Sequence, residues 1–245
     1  MDKYLSTLDS NRFGIKVAKV DNWGTNPEEL LISLRKNNFK LIITRLRCED
    51  ILTINTLEGL GLQIKDMQLT HRHELKNLPF ESLEIPSHML IRDASEMDMP
   101  SIKNIAKEAF ANYGHYSANN KLDKSKTNEI YEDWALRSYY DANVADKFFV
   151  LTADNKEVAG FLTFKLFNND NQFYAVGGIG AVARSYRNQG IFHLLVKHGL
   201  LWGKQINLDW EEHNALATNY PVGKVFTSLG FNIASSFVTL HGWMD

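Results

Sequence analysis

Residues 172–199 constrain the fold more than any other stretch. A β-branched and aromatic run is broken by Gly177, Gly178 and Gly180, and a polar turn and an amphipathic stripe follow it. Glycines inside a strand mark a bulge, or a place where a ligand or second backbone comes close. After the turn at 184–190, the positions Ile191, Leu194, Leu195, His198 and Leu201 recur at helical spacing. Strand, turn and helix in that order leave unpaired backbone N–H groups at the helix start. Such a terminus binds phosphate through its amides and its dipole. Arg187 adds a fixed positive charge beside it. A dinucleotide fold fits less well: Gly177-Gly178-Ile179-Gly180 departs from Gly-x-Gly-x-x-Gly and sits in the strand, not the turn.

The remaining chain divides into two halves. Residues 1–86 read as a small α/β domain. It has a strand over 13–20 and a helix opened by Asn26 as cap, Pro27 in first position and a carboxylate at Glu29. A strand at 41–46, a helix capped by Asp50 and ended by Gly59 or Gly61, and a strand at 62–69 complete it. Leu60-Gly61-Leu62-Gln63-Ile64 echoes Leu229-Gly230-Phe231-Asn232-Ile233, each after a helix and before a strand. The echo suggests the first domain as a partial copy of the second, although so short a match also arises by chance. Pro79 and Pro86 mark 76–88 as the linker. Residues 87–245 then give a strand from Met89, helices over 97–110 and 127–140, and a polar aromatic loop at 113–123 between them. Strands at 147–153 and 157–167 are joined by Asp154-Asn155-Lys156 as a tight hairpin. After the central helix, residues 207–210 and 214–218 compete for the next strand, before a last helix and a strand at 233–240.

Arg187-Asn188-Gln189-Gly190-Ile191-Phe192 resembles the acyl-CoA pyrophosphate loop of the GCN5-related N-acetyltransferases (GNAT), Arg/Gln-x-x-Gly-x-Gly/Ala, with Phe192 replacing the small last residue. An ordinary strand–turn–helix connection also fits those six residues. The element order over 89–240 and the terminal Asn219-x6-Phe226-x3-Gly230-Phe231 are similar to the same family. Residues 8–14, 57–62, 109–110 and 131–134 resemble the TDP-fucosamine acetyltransferases within it. The resemblance implies an α/β fold with the GNAT mixed central sheet flanked by helices, behind the smaller N-terminal unit. It implies an N-acyltransferase moving acetyl, or a short acyl group such as hydroxybutanoyl, from acyl-CoA to the amine of a dTDP-linked amino-deoxysugar, as in lipopolysaccharide biosynthesis. A non-catalytic acyl-CoA-binding or regulatory protein, and a GNAT enzyme acting on a peptide or small amine, stay open as alternatives.

The resemblance also implies site residues. Gly180, Ala181 and Val182 fall where the family opens its fourth strand to pantetheine. Arg187, Asn188, Gln189, Gly190, Ile191 and Phe192 hold the pyrophosphate, and Asn219 the pantetheine arm. A helix cap is the other reading of Asn219. The family's thiolate-protonating tyrosine is replaced here by Phe226, which has no proton to give. Tyr220 or water then substitutes, or the thiolate leaves unaided; Tyr220 also reads as a packing residue before Pro221. The central strand carries no carboxylate, so His115, with a pKa near working pH, is the candidate base. Glu211, Glu212 and His213 form a second cluster. His115, Tyr116, Asn119 and Asp123 are also candidate sugar-nucleotide contacts, because a long polar loop in a compact domain is often functional. His71, His73 and the lysines over 121–126 read as solvated surface. Phe13 and Trp23 read either as core or as flanking a nucleotide base.

A formal charge of −2, with 44% apolar and 23% charged residues, fits a soluble globular chain with no nucleic-acid or anionic-membrane partner. Cys48 alone precludes an internal disulfide, and the start Met-Asp-Lys-Tyr has no signal-peptide pattern, so a cytoplasmic location is expected. Acyl-CoA as co-substrate, no metal, and a homodimer as a further option complete the expectation.

Overall fold

The structure, a computed structural model, describes residues 1–79, 82–153, 157–169 and 171–244. The expected hairpin turn at Asp154-Asn155-Lys156 lies outside the described residues. In chain order the elements are α1 (Thr7–Phe13), β1 (Val17–Lys19), α2 (Pro27–Lys36), β2 (Leu41–Arg47), α3 (Ile51–Gly59), β3 (Gln63–Glu74), β4 (Leu90–Asp93), α4 (Met99–Ala109) and α5 (Gly114–Ser117). There follow α6 (Lys124–Tyr140), β5 (Lys147–Ala153), β6 (Glu157–Asn169), β7 (Gln172–Val182), α7 (Ile191–Gln205), β8 (Trp210–Leu216), α8 (Tyr220–Ser228) and β9 (Asn232–Trp243).

Two compact units result, and they interleave along the sequence. The first comprises Met1–Leu69, Asn112–Thr127 and Ser235–Asp245; the second comprises Thr70–Ala111 and Asn128–Ala234. The boundary expected at 86/87 therefore falls inside the second unit, and the loop at 113–123 groups with the N-terminal segment.

In the first unit β1 pairs parallel with β2, and β2 pairs antiparallel with β9 from Leu41↔Trp243 to Arg47↔Phe237. One face packs Ala18, Ile42, Leu46 and Leu240 against Leu34 and Leu57 of α2 and α3. Each buried side chain of that size contributes about 1.5–3 kcal/mol through removal from water. Asn26 and Asp50 cap α2 and α3 as their sequences require, accepting from Glu29 N and Thr53 N. The strand expected over 13–20 shrinks to three residues. Ser6 Oγ bonds Asp9 at 2.7 Å in the first turn of α1, and Gly14, at φ 68°, ends that helix in the left-handed region. Trp23 is core, its indole N–H donating to Thr44 Oγ1 at 3.0 Å.

In the second unit the strands run, from Thr70 of β3 outward, β3-β8-β7-β6-β5-β4. β7 and β8 are parallel, and the pairs from β7 to β4 are antiparallel. Ile191, Leu195 and Leu200 of α7 and Phe226 of α8 join Phe164, Leu162 and Ala175 in the core. The stretch expected as the linker, 76–88, instead places Leu78 in that core beside Leu75, which precedes it. β8 spans parts of both stretches that competed for it. Gly61 (φ 93°) and Gly230 (φ 88°) are both left-handed, so the sequence echo corresponds to the same helix-ending turn in each unit.

Candidate functional site

The glycine-interrupted strand explains itself residue by residue. β7 pairs with β6 along its length to Gly160↔Val182, but with β8 only from Tyr174↔Trp210 to Gly177↔His213. Beyond Gly177 no β8 partner is registered among the described residues, so one edge of 178–182 is unladdered. At the fork, a Cβ on Gly177 would collide with the His213 ring, one on Gly178 would meet Thr163 Oγ1 at 2.5 Å, and one on Gly180 would meet Leu162 Cδ1 at 2.6 Å. Thr163 sits where the β6–β7 register shifts; its Oγ1 accepts from Ile179 N at 2.9 Å and donates to Ile179 O at 3.1 Å. The bulge thereby keeps its polar groups paired on the β6 side. Gly178 itself is exposed, Gly180 and Val182 are half-buried, and Ala181 is buried. An extended amide-bearing chain can hydrogen-bond to such an edge.

The turn after β7 ends at Gly190, at φ 76°, which is the N-cap of α7 and offers no side-chain cap; Asn188 is left-handed too, at φ 63°. The helix ladder begins with Leu194 N–H donating to Gly190 O, so the amides of residues 191–193 lie ahead of it. The first turn contains no acidic residue. Arg187 is exposed, its Nε donating to Val182 O at 3.4 Å, and Gln189 Nε2 donates to Ser185 O at 3.2 Å. Ile191 is buried, and Phe192 lies half-buried at 6.1 Å from the Phe226 ring. These groups fit a phosphate-bearing, amide-bearing cofactor: a dipole end, an arginine, and a strand edge left unladdered beyond Gly177.

Beneath the fork is a buried polar cluster. Glu211 and His213 alternate on the β8 face that packs against α7 and α8, and His213 Nε2 lies 2.7 Å from Glu211 Oε1. Glu211 is fully buried, and its Oε2 has no hydrogen-bond partner. Burial pushes the Glu211 carboxyl up, with His213 opposing. His213 stacks on Phe226 at 4.9 Å, and His71 lies 4.8 Å from the same Phe226 ring. His73 meets Phe231 edge-on at 5.4 Å. The solvated-surface expectation for His71 and His73 is corrected: both are buried, because β3 runs on to Glu74 with alternate residues facing the core. Phe226 is 1% exposed and Tyr220 is 69% exposed. Asn219 occupies the N-cap position of α8, half-buried, without a side-chain capping bond.

The acceptor candidates lie in the first unit. His115 Nδ1 is 2.8 Å from His241 Nε2, and His241 Nδ1 is 2.8 Å from Asn119 Nδ2. Asn119 Oδ1 accepts from Trp243 Nε1 at 3.2 Å. The amide therefore donates to His241, which donates to His115, leaving Nε2–H at the end of the chain. Burial lowers both imidazoles, His241 to about 3 and His115 well below its ordinary value, the latter helped by His241, Arg45 and Lys19. Both rings are neutral at pH 7. Tyr116 donates to Asp9 Oδ1 at 2.9 Å, and Lys19 pairs with Asp9 Oδ2 at 2.8 Å. Asp123 is exposed and accepts from Ser125 N at 2.9 Å, at the start of α6. Sequence reading missed that His115, Tyr116 and Asn119 are internally bonded, because their partners Asp9, His241 and Trp243 lie more than a hundred residues away. It named the Glu211 cluster but did not select it; the alternation Glu211, His213, Ala215 was the available signal.

Among the described residues no group of three or more His, Cys, Asp or Glu is arranged to hold a metal, and no helix is long and apolar enough to cross a membrane. Residues 102–231 match the acetyltransferase (GNAT) family model. No curated protein matches the chain. A tandem GNAT protein from the clavulanic acid biosynthesis pathway superposes over 95% of this chain and 76% of its own, at 14% identity and a TM-score of 0.68. The GCN5-related N-acetyltransferase of Sphaerobacter thermophilus does so over 88% of this chain, at 12% identity and a TM-score of 0.60. The chain spans 65% of that protein's length, just under two thirds. A GCN5-related glucosamine N-acetyltransferase region of a fungal multi-domain GH3 β-N-acetylglucosaminidase superposes over 93% of this chain and 30% of its own, at 11% identity and a TM-score of 0.64.

Proposed function

The chain belongs to the GNAT acetyltransferase family, whose members use acetyl-CoA or another acyl-CoA as co-substrate, and we propose that it transfers an acetyl or short acyl group to the amine of a dTDP-linked amino-deoxysugar. The observation that carries this reading is the unladdered edge of β7 beyond Gly177↔His213, followed directly by the uncapped N-terminus of α7. The edge of residues 178–182 that faces away from β6 suits the pantetheine arm, and residues 187–192 suit the pyrophosphate. Holding thioester and amine together supplies most of the rate by removing their entropic barrier. Asn219 is the proposed contact for the far side of the arm.

An amino-sugar acceptor has a precedent on this fold in the fungal glucosamine N-acetyltransferase region. His115 is the proposed acceptor contact, since its Nε2–H ends the Trp243–Asn119–His241–His115 chain. Tyr116 and Asn119 hold that chain in place. A cytoplasmic location accords with acyl-CoA and nucleotide-sugar supply. The rival reading, a non-catalytic acyl-CoA-binding protein, is favoured by Phe226, which is buried and has no acidic proton.

Thiol release from acetyl-CoA, measured against a panel of dTDP-amino sugars, peptides and polyamines, separates these readings. The proposal expects turnover with the nucleotide sugars and a raised KM in His115→Ala with the Kd for acyl-CoA unchanged. Acyl-CoA binding without turnover of any amine would favour the rival.

A further inference from the structure

We propose that His213 carries the transferred proton of the acyl-transfer step through Nδ1, with Glu211 as the residue that positions its ring. The proposal rests on the reading of the β7–β8 fork as the acyl-transfer site. It starts from a placement: His213 is the last β8 residue in register with β7, so its side chain sits where the two strands part. Its Nδ1 and Cε1 occupy the volume that a Cβ on Gly177 would need, and Gly177 is the residue that lets the ring lie there. The next residue, Gly178, is exposed.

The other ring nitrogen is fixed. Nε2 shares a 2.7 Å hydrogen bond with Glu211 Oε1, and Glu211 is fully buried with Oε2 unpartnered. A buried carboxylate with one orphan oxygen costs stability, and a neutral residue of similar shape would avoid that cost. Its use is electrostatic. With the shared proton on Nε2, Nδ1 presents a lone pair at the fork, and the carboxylate stabilises the imidazolium that forms when Nδ1 gains a proton. A carboxylate oriented on a catalytic imidazole does the same work in the serine-hydrolase triad. Phe226 has no proton to give, whereas His213 is an ionisable ring whose Nδ1 lies where β7 and β8 part.

The balance is simple. As the amine lone pair forms the C–N bond, Nδ1 takes one proton from that nitrogen. As the C–S bond breaks and its electron pair stays on sulfur, Nδ1 returns the same proton to sulfur. His213 ends as it began. The ionisable groups around the pair are His73 and His71 from β3; α7 presents Gly199, α8 presents Phe226 and β6 presents Phe164.

The test is the pH profile of kcat/KM in the full chain, with the Kd for acetyl-CoA measured alongside. His213→Gln is expected to lower kcat by about 10²-fold, the usual size of acid–base catalysis, at unchanged acetyl-CoA affinity. Glu211→Gln is expected to move the acidic limb of the profile to lower pH, and Glu211→Asp to restore it; a purely structural carboxylate would leave the limb in place. Tyr220→Phe is expected to stay within about threefold of wild type. If His213→Gln does not fold, the Glu211→Gln limb decides. Wild-type turnover with His213→Gln at full speed, or an unmoved limb in a folded Glu211→Gln, overturns the proposal alone. No turnover by the wild type overturns the acyl-transfer reading and this proposal together.

Discussion

The two units share one construction and finish it in opposite ways. In each, a strand leads through a turn into a helix and on to a parallel neighbour, β1-α2-β2 in one and β7-α7-β8 in the other. A shorter helix and a left-handed glycine, Gly61 or Gly230, then lead to another strand. The turn before α2 is closed. Asn26 Oδ1 accepts from Glu29 N at 3.2 Å, Pro27 has no N–H, and Glu28 and Glu29 place negative charge where an anion would approach. The adjoining cavity of about 640 Å³ balances Lys3 and Lys19 against Asp21 and Glu29. The turn before α7 is open: Gly190 brings no cap, the first turn has no acid, and Arg187 stands by. The same backbone plan is an anion site only where its own side chains leave the amides free.

The largest expected effect is the closing of the open turn. Gly190→Asp places a carboxylate on the α7 N-terminus, as Glu28 and Glu29 do on α2. Nothing lies within 4 Å of a Cβ there, so the fold tolerates the group apart from a small left-handed strain, which aspartate accepts better than most residues. We expect acetyl-CoA affinity to fall by at least about 10²-fold, from charge repulsion at a site built for phosphate. Calorimetry showing unchanged affinity in a folded variant would remove the pyrophosphate assignment.

Acidification should separate the units next. His241 is neutral in the fold, at about 3, while its ordinary value is 6.5. The unfolded state therefore binds the proton first, and the stability His241 confers is complete above pH 6.5 and falls as pH drops toward 3; burial of His115 acts in the same direction. In the second unit Arg92 holds Asp98 at about 2 against an ordinary 3.8, through bonds of 2.7 and 2.8 Å. That contribution is complete above pH 3.8 and is lost only between 3.8 and 2. His193 and His198 of the second unit are lowered as well, without a shift as large as that of His241, so amide hydrogen exchange should show β2 losing protection at a higher pH than β4, which carries Arg92. Simultaneous loss would mean that the buried histidines do not limit the first unit.

Much of this contrast was legible in the sequence, and the reasons are local. The strand–turn–helix at 172–199, Asn26-Pro27 and Asp50 carry their structure in neighbouring residues, so they read correctly. The first strand was placed from Phe13 instead of Val17 because Phe13 to Val20 alternates whether or not its first residues are in a helix; Gly14 was the stop signal. Interleaving of the units was not legible, since it depends on Asn119 and His115 meeting His241 across more than a hundred residues. The burial of His71 and His73 was missed because the end of β3 was placed at Leu69, before the alternation that continues through Thr70, His71, Arg72 and His73.

Arg187 tests the open turn more gently. Arg187→Gln keeps a donor but removes the charge, and a charge-assisted bond is worth about 1.5–3 kcal/mol, so acetyl-CoA should bind about tenfold more weakly or worse. The loss should shrink as salt is raised, because an exposed guanidinium is screened. A salt-independent loss would point to packing rather than phosphate contact.

The smallest effect comes from opening the closed turn. Asn26→Ala removes the cap from α2 and leaves Glu29 N–H to water, which should cost about 1 kcal/mol of stability. It should not create an anion site, since Glu28 and Glu29 remain and Pro27 still lacks an N–H. Acetyl-CoA stoichiometry should therefore stay at one per chain. Adding Glu28→Gln and Glu29→Gln removes the two charges as well, and tests whether the caps and charges alone distinguish the turns. If this triple variant gains weak pyrophosphate binding that is lost on reverting Glu29, side-chain closure is the difference between the copies. If it gains none, the missing arginine matters more than the cap, and the open turn depends on Arg187 as much as on its free amides.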